Sequence, residues 1–169
     1  SDTEVILAAY DCWGVNCLHH FNGMWAFVLY DTKKNSLFCS RDRFGVKPLC
    51  YTDAGGYFMI GSEVKQFTAN NSFSPRLNGN TAANFLLSGS LNYSEHTFFE
   101  TVKEIPGGHY GIYDLHQHNF SVYKWYHLDK VTQLNSITEK EAADKMKELF
   151  NDSIRLRLRS DVKVGTCLS

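Results

Sequence analysis

The chain has 169 residues, of which 43% are hydrophobic and 14% aromatic, and a formal net charge of −1. That length holds one domain, or one domain and the beginning of another, and the apolar content suits a packed core rather than a disordered chain. No long block of like charge marks a nucleic-acid footprint or a polybasic membrane surface, no apolar run is long enough to span a bilayer, and no signal-peptide pattern follows Ser1.

The first element is a helix. Ser1 is a good N-cap, Asp2 and Glu4 lie in the first turn, Val5, Ile6, Ala9 and Trp13 recur at helical spacing, and Gly14 is the stop. A short helical turn over Val15–Phe21 leads to Asn22-Gly23. The pattern then changes to a nearly continuous apolar run from Met24 to Asp31, a turn at Lys33-Lys34-Asn35, and a second strand from Ser36 to Ser40, which together predict a β-hairpin. A second hairpin is predicted from Leu49–Thr52 and Tyr57–Gly61 around the dense turn Asp53-Ala54-Gly55-Gly56. Residues 63–68 predict a helical turn with Ser62-Glu63 as its start, Asn70–Pro75 a loop, and Thr81–Leu87 a short helix capped by Thr81 or Asn80. Residues 88–100 are expected as a polar, aromatic-tipped loop. Strands at His109–Tyr113 and Ser121–Trp125 are expected around the polar turn Leu115–Asn119.

Beyond Trp125 the composition turns polar, and residues 129–137 are expected to be a linker. Thr138-x-x-Glu141 is a capping box, and Ala142, Met146, Leu149, Phe150, Ile154 and Leu158 form an apolar stripe that predicts a long helix with a buried face. Arg155, Arg157 and Arg159 are assigned to its solvated side, and Val162-Lys163-Val164 is expected to begin a strand. The expected organisation is therefore a first domain over 1–128, a linker over 129–137 and the beginning of a second domain over 138–169.

Five cysteines, Cys12, Cys17, Cys39, Cys50 and Cys167, are scattered with no CxxC pair, which fits reduced thiols in a cytoplasmic protein better than a disulfide framework. His19-His20 and His116-x-His118 lack cysteine or carboxylate partners at zinc-site spacing, so they are assigned to surface turns and no metal site is expected.

Four stretches carry a family resemblance: Ser1-Asp2-Thr3-Glu4, Phe21-Asn22-Gly23-Met24-Trp25-Ala26-Phe27, Arg41-Asp42-Arg43-Phe44-Gly45-Val46-Lys47-Pro48-Leu49, and Gly61-Ser62-Glu63-Val64-Lys65. In this order and at these distances they resemble the second half of the glutaminase domain of glutamine-dependent asparagine synthetases, which are class II amidotransferases with an N-terminal nucleophile. The terminal Arg159-Ser160-Asp161-Val162-x-Val164-Gly165-x-x-Leu168-Ser169 looks like the strand entering the ATP-pyrophosphatase loop of that family, of which only the first serine is present. The chain opens at a helix start and closes at this passage, so it is expected to be the middle portion of a longer enzyme.

The fold implied is α+β: part of an αββα sandwich of antiparallel sheets of the N-terminal nucleophile hydrolase type, then the first helix and strand of an α/β ATP-pyrophosphatase domain. The activity implied for the parent is release of ammonia from glutamine by an N-terminal cysteine whose own α-amine is the base. Ammonia then passes through a channel to an aspartate adenylated with ATP and Mg²⁺. The resemblance places Asp2 where the family holds the α-amino group of glutamine. It places Leu168 where a backbone touches the ATP adenine, and Ser169 at the opening of the phosphate loop. It also suggests a homodimer. From the residues alone, Asp2 reads first as a helix-start carboxylate satisfying backbone N–H groups, an order that the resemblance reverses, and Leu168 reads almost as readily as an ordinary strand residue.

Arg41 and Asp42 are read as a structural ion pair at the end of a strand, beside a turn at Gly45, with Pro48 fixing re-entry into the next strand. Met24 is read either as a wall of the ammonia channel or as a core methionine. The chain carries no nucleophilic cysteine: none is N-terminal, and Cys12, inside a helix, has no free amine to act as base. The family's glutamine-carboxylate arginine and oxyanion-hole Asn-Gly pair are expected upstream of Ser1. Their absence should leave unpaired strand edges and exposed apolar faces. Three alternatives keep parts of the pattern: an amidotransferase with another acceptor, a β-lactam synthetase-like ligase, and a non-catalytic interaction module.

Overall fold

The computed structural model describes residues 1–54, 56–91, 94–130 and 136–165. The chain divides into two compact units, Ser1–His127 and Leu128–Ser169.

In the first unit, α1 spans Asp2–Trp13, and Gly14 ends it with φ 57° while its N–H donates to the carbonyl of Tyr10. A 3-10 helix follows over Gly14–His20. Strands β1 (Ala26–Asp31) and β2 (Ser36–Arg41) form the first hairpin, and β3 (Cys50–Ala54) and β4 (Tyr57–Gly61) the second. A 3-10 helix over Val64–Ala69 starts with a box in which Glu63 is the cap and its N–H donates to Gln66 Oε1. Helix α2 (Gly79–Ser88) begins two residues before its expected start. Its cap is Asn78, whose side chain accepts from the N–H of Thr81, so Thr81 is the capped residue and neither it nor Asn80 is the cap. Strands β5 (Lys103–Glu104), β6 (His109–Asp114) and β7 (Asn119–Lys124) complete the unit.

All pairings are antiparallel, and the strands sort into a four-stranded sheet in the order β1-β2-β6-β7 and a three-stranded sheet in the order β4-β3-β5. Because side chains alternate across a strand, each sheet has two faces to cover. One face of the larger sheet carries Leu29, Phe38, Tyr110 and Ile112 and packs against Ile6, Ala9 and Tyr10 of α1 and Cys17 and Leu18 of the 3-10 helix. Its other face presents Leu37, Cys39, Tyr113 and Phe120 to Tyr51, Phe58 and Ile60 of the smaller sheet, with ring centroids of 4.2 Å for Phe58–Tyr113 and 4.5 Å for Tyr51–Phe120. Beyond the smaller sheet, Cys50, Phe67, Val102, Val64 and Phe73 form a third cluster. The layers thus run helix, sheet, sheet, helix, a mixed α/β arrangement built on antiparallel sheets.

Two turns in the larger sheet share one chemistry. Asp31 Oδ1 accepts from the N–H groups of Lys33 and Lys34, and Asp114 Oδ1 from those of His116 and Gln117. Each turn ends on a non-glycine residue at positive φ, Asn35 at 49° and His118 at 50°. The hydrogen bond from the Lys34 backbone N–H holds the Asp31 carboxyl below its ordinary range, and those from Gln117 and His116 do so for Asp114. A carboxylate depressed in the folded state contributes stability that is fully present above its unfolded pKa and is lost as pH falls through the folded value. Thermal stability should therefore drop as pH falls below about 4, the ordinary carboxylate range. Asp31→Asn and Asp114→Asn, which keep an acceptor oxygen but no charge, should each flatten that acid limb. A pH series of melts that is equally steep in both variants would refute the assignment.

Several apolar residues that the sheets and helices leave uncovered are exposed, among them Val28 and Tyr30 on edge strand β1, Phe44 and Val46, and Leu86 and Leu87 on α2 at 83% and 86% exposure. Met24 is 43% exposed and so is not a core methionine.

The second unit contains a 3-10 turn at Leu128–Lys130 and helix α3 (Glu139–Arg157), capped by Thr138, which accepts from the N–H of Glu141 while the Glu141 carboxylate accepts from Thr138. Two expectations are corrected here. The apolar stripe of α3 is present, but no residue of the helix is buried, because periodicity specifies a face and not its partner. Val162–Val164 has no regular structure: a three-residue strand needs a neighbouring strand for its ladder, and none is present among the described residues of this unit.

Candidate functional site

Asp2 occupies the first turn of α1 and is exposed. The neighbouring Glu4 accepts from the Ser1 nitrogen at 2.5 Å, so the acidic contact at this helix end is made by Glu4. Among the described residues the Asp2 carboxylate has no hydrogen-bond or ion-pair partner, and it does not serve the backbone N–H groups beside it. Its acceptor oxygens are open. Such a group can take an ammonium by charge-assisted hydrogen bonds.

The strand-to-strand connection 42–48 is densely hydrogen-bonded. Asp42, 1% exposed, accepts from three backbone N–H groups: Phe44 at 3.1 Å and Val46 at 3.0 Å on Oδ1, and Lys47 at 3.0 Å on Oδ2. Its own backbone N–H donates to the Trp25 carbonyl, and its carbonyl accepts from Gly45 and Gly108. Arg41 is buried as well. Its guanidinium donates to the carbonyls of Lys47 at 2.7 Å, Gly45 at 2.8 Å and Ile105 at 2.7 Å, and to Glu104 Oε2 at 2.8 Å.

The expected Arg41–Asp42 ion pair is therefore replaced by two separate roles. Adjacent residues on a strand point to opposite sides, so Arg41 reaches across to β5 of the other sheet while Asp42 folds onto the loop ahead of it. Gly45 adopts φ 67° and sits against Gly107, where an added Cβ would come within 2.7 Å of the Gly45 nitrogen and the Phe44 carbonyl carbon. Pro48 closes the loop before β3 begins at Cys50. Glu104, Ile105 and Gly107 were not singled out by the sequence; the Gly107-Gly108 pair after Pro106 was the one available signal of a close backbone approach.

Arg43 extends from the same loop. It donates to the Phe21 carbonyl at 2.6 Å, and its guanidinium lies 5.9, 5.2 and 5.5 Å from the ring centres of Trp25, Trp125 and Tyr126. This ties the Phe21–Trp25 stretch to the loop through hydrogen bonding and cation–π contact. Two of the stretches that carry the resemblance are thus brought together in space.

Burial pushes the Cys39 thiol up to about 12, and burial with the nearby Glu104 charge pushes Cys50 up to about 11. Cys17 is raised by burial too. These three thiols are protonated at neutral pH and make poor nucleophiles. Cys12 is exposed on α1. His20 stacks on Trp13 and His19 meets the edge of Trp125, so this histidine pair packs on aromatic rings. Cys167, Leu168 and Ser169 lie outside the described residues, as does part of the 129–137 stretch. Among the described residues no helix is long and apolar enough to cross a membrane.

Facing antiparallel sheets between helices, tied together through the Arg41 and Asp42 loop, make this a mixed α/β domain. The glutamine amidotransferase domain family matches residues 1–126, and the chain belongs to that family. Over its whole length it is 34% identical to a protein of Methanocaldococcus jannaschii named as a glutamine-hydrolyzing asparagine synthetase, covering 33% of that protein. It is 32% identical to asparagine synthetase [glutamine-hydrolyzing] 3 of Bacillus subtilis, covering 27%, and 29% identical to amidase chyE of Penicillium rubens, covering 25%. The chain spans a third or less of the length of these curated relatives.

Proposed function

We propose that this chain is the glutamine-binding portion of an ATP-dependent, glutamine-hydrolysing asparagine synthetase, in which Asp2 holds the α-ammonium of glutamine. The open Asp2 carboxylate in the first turn of α1 carries this reading, supported by the family match through that turn. In this reading residues 1–128 belong to the glutaminase domain, 129–137 to a linker and 138–169 to the start of the synthetase domain. The nucleophilic cysteine is supplied from outside the chain, which by itself is inactive. ATP, with Mg²⁺, and aspartate are substrates of the second domain, with Leu168 and Ser169 at the ATP site. The protein works in the cytoplasm, as a homodimer.

Within the glutaminase step, the described residues orient rather than react. Asp2 fixes one end of the amino acid so that its side-chain amide is presented to the nucleophile. Arg41, Asp42 and Arg43 hold the 42–48 loop and the Phe21–Trp25 stretch in one arrangement.

The test is Asp2→Ala in a glutamine-hydrolysing enzyme that contains this segment. Loss of a charge-assisted hydrogen bond, about 1.5–3 kcal/mol, should raise the glutamine KM roughly 10- to 150-fold. Synthesis driven by free ammonia should be unchanged. Unaltered glutamine kinetics would refute the role.

A second reading keeps the glutaminase chemistry and changes the acceptor. It is favoured by the whole-length similarity to fungal proteins named amidases. Asparagine formation from aspartate, ammonia and ATP would exclude it.

A further inference from the structure

We draw no further inference here: the strongest candidate, the uncharged apolar surface patch of α2 and its flanks at Leu77, Leu86, Leu87 and Leu91, is an unpartnered face, and nothing in the structure shows what covers it.

Discussion

Asp42→Ala is expected to destabilise the first unit by about 4 kcal/mol, because it leaves three buried backbone N–H groups without an acceptor. Each such group costs about 1–3 kcal/mol when stranded, and the three act on one loop, so their costs do not simply add. Water cannot easily substitute, since Asp42 is almost wholly enclosed. A loss of this size is a large share of the 5–15 kcal/mol typical of a folded domain, and corresponds to a fall in Tm of roughly 8–16 °C. Urea unfolding followed by tryptophan fluorescence reads the loop directly, because Trp25 and Trp125 both lie against Arg43. Asp42→Asn, which keeps one acceptor oxygen, should fall between wild type and Asp42→Ala. If the alanine variant unfolds at the wild-type urea concentration, the carboxylate does not hold the loop.

Gly107→Ala should cost about 2–3 kcal/mol for a different reason, overpacking. The added methyl would meet backbone atoms at 2.7 Å, namely the nitrogen of Gly45 and the carbonyl carbon of Phe44. A flexible side chain could swing aside, but these atoms belong to a loop already tied down by Asp42 and Arg41. Relief requires that the loop move off the Pro106–His109 stretch, loosening the Gly108 N–H to Asp42 carbonyl bond of 2.8 Å. Gly79→Ala is the matched control. It has open space around the new methyl and lies at the start of α2, so it should be neutral or slightly stabilising. Equal stability of the two variants would show that the Gly45–Gly107 approach has room to spare.

The same loop shows how far the sequence could be read. Residues 41–48 announced a turn through Gly45 and Pro48, and a structural role for Arg41 and Asp42 followed from their residue types. Their partners did not follow. Glu104 lies 63 residues beyond Arg41, and it reaches the guanidinium because β5 pairs with β3 in the opposite sheet. A two-residue strand has too little pattern to be seen in sequence. The hairpins β1–β2, β3–β4 and β6–β7 were legible because apolar alternation and turn residues are local signals. The β2–β6 pairing, which builds the larger sheet, joins residues some seventy positions apart and has no local signature.

Among the candidate site residues, Asp2 was legible as a helix-start carboxylate, but sequence alone could not decide whether it served the helix or a ligand. The capping role expected of it falls to its neighbours, and the side chain stays open. For α3, the capping box and stripe located the helix correctly, while burial of the stripe did not follow from them.

What the sequence by itself determined about this protein is the order of its longer helices and its three hairpins, the caps of α1 and α3, and the amidotransferase family. All of these rest on interactions within a few residues or on motif order. Only the tertiary structure decided which strands fall into which of the two facing sheets, that Arg41 bridges them while Asp42 organises the loop, and that Gly107 must be small. Those outcomes depend on backbone groups distant in sequence arriving within hydrogen-bond or van der Waals distance, which no local propensity encodes.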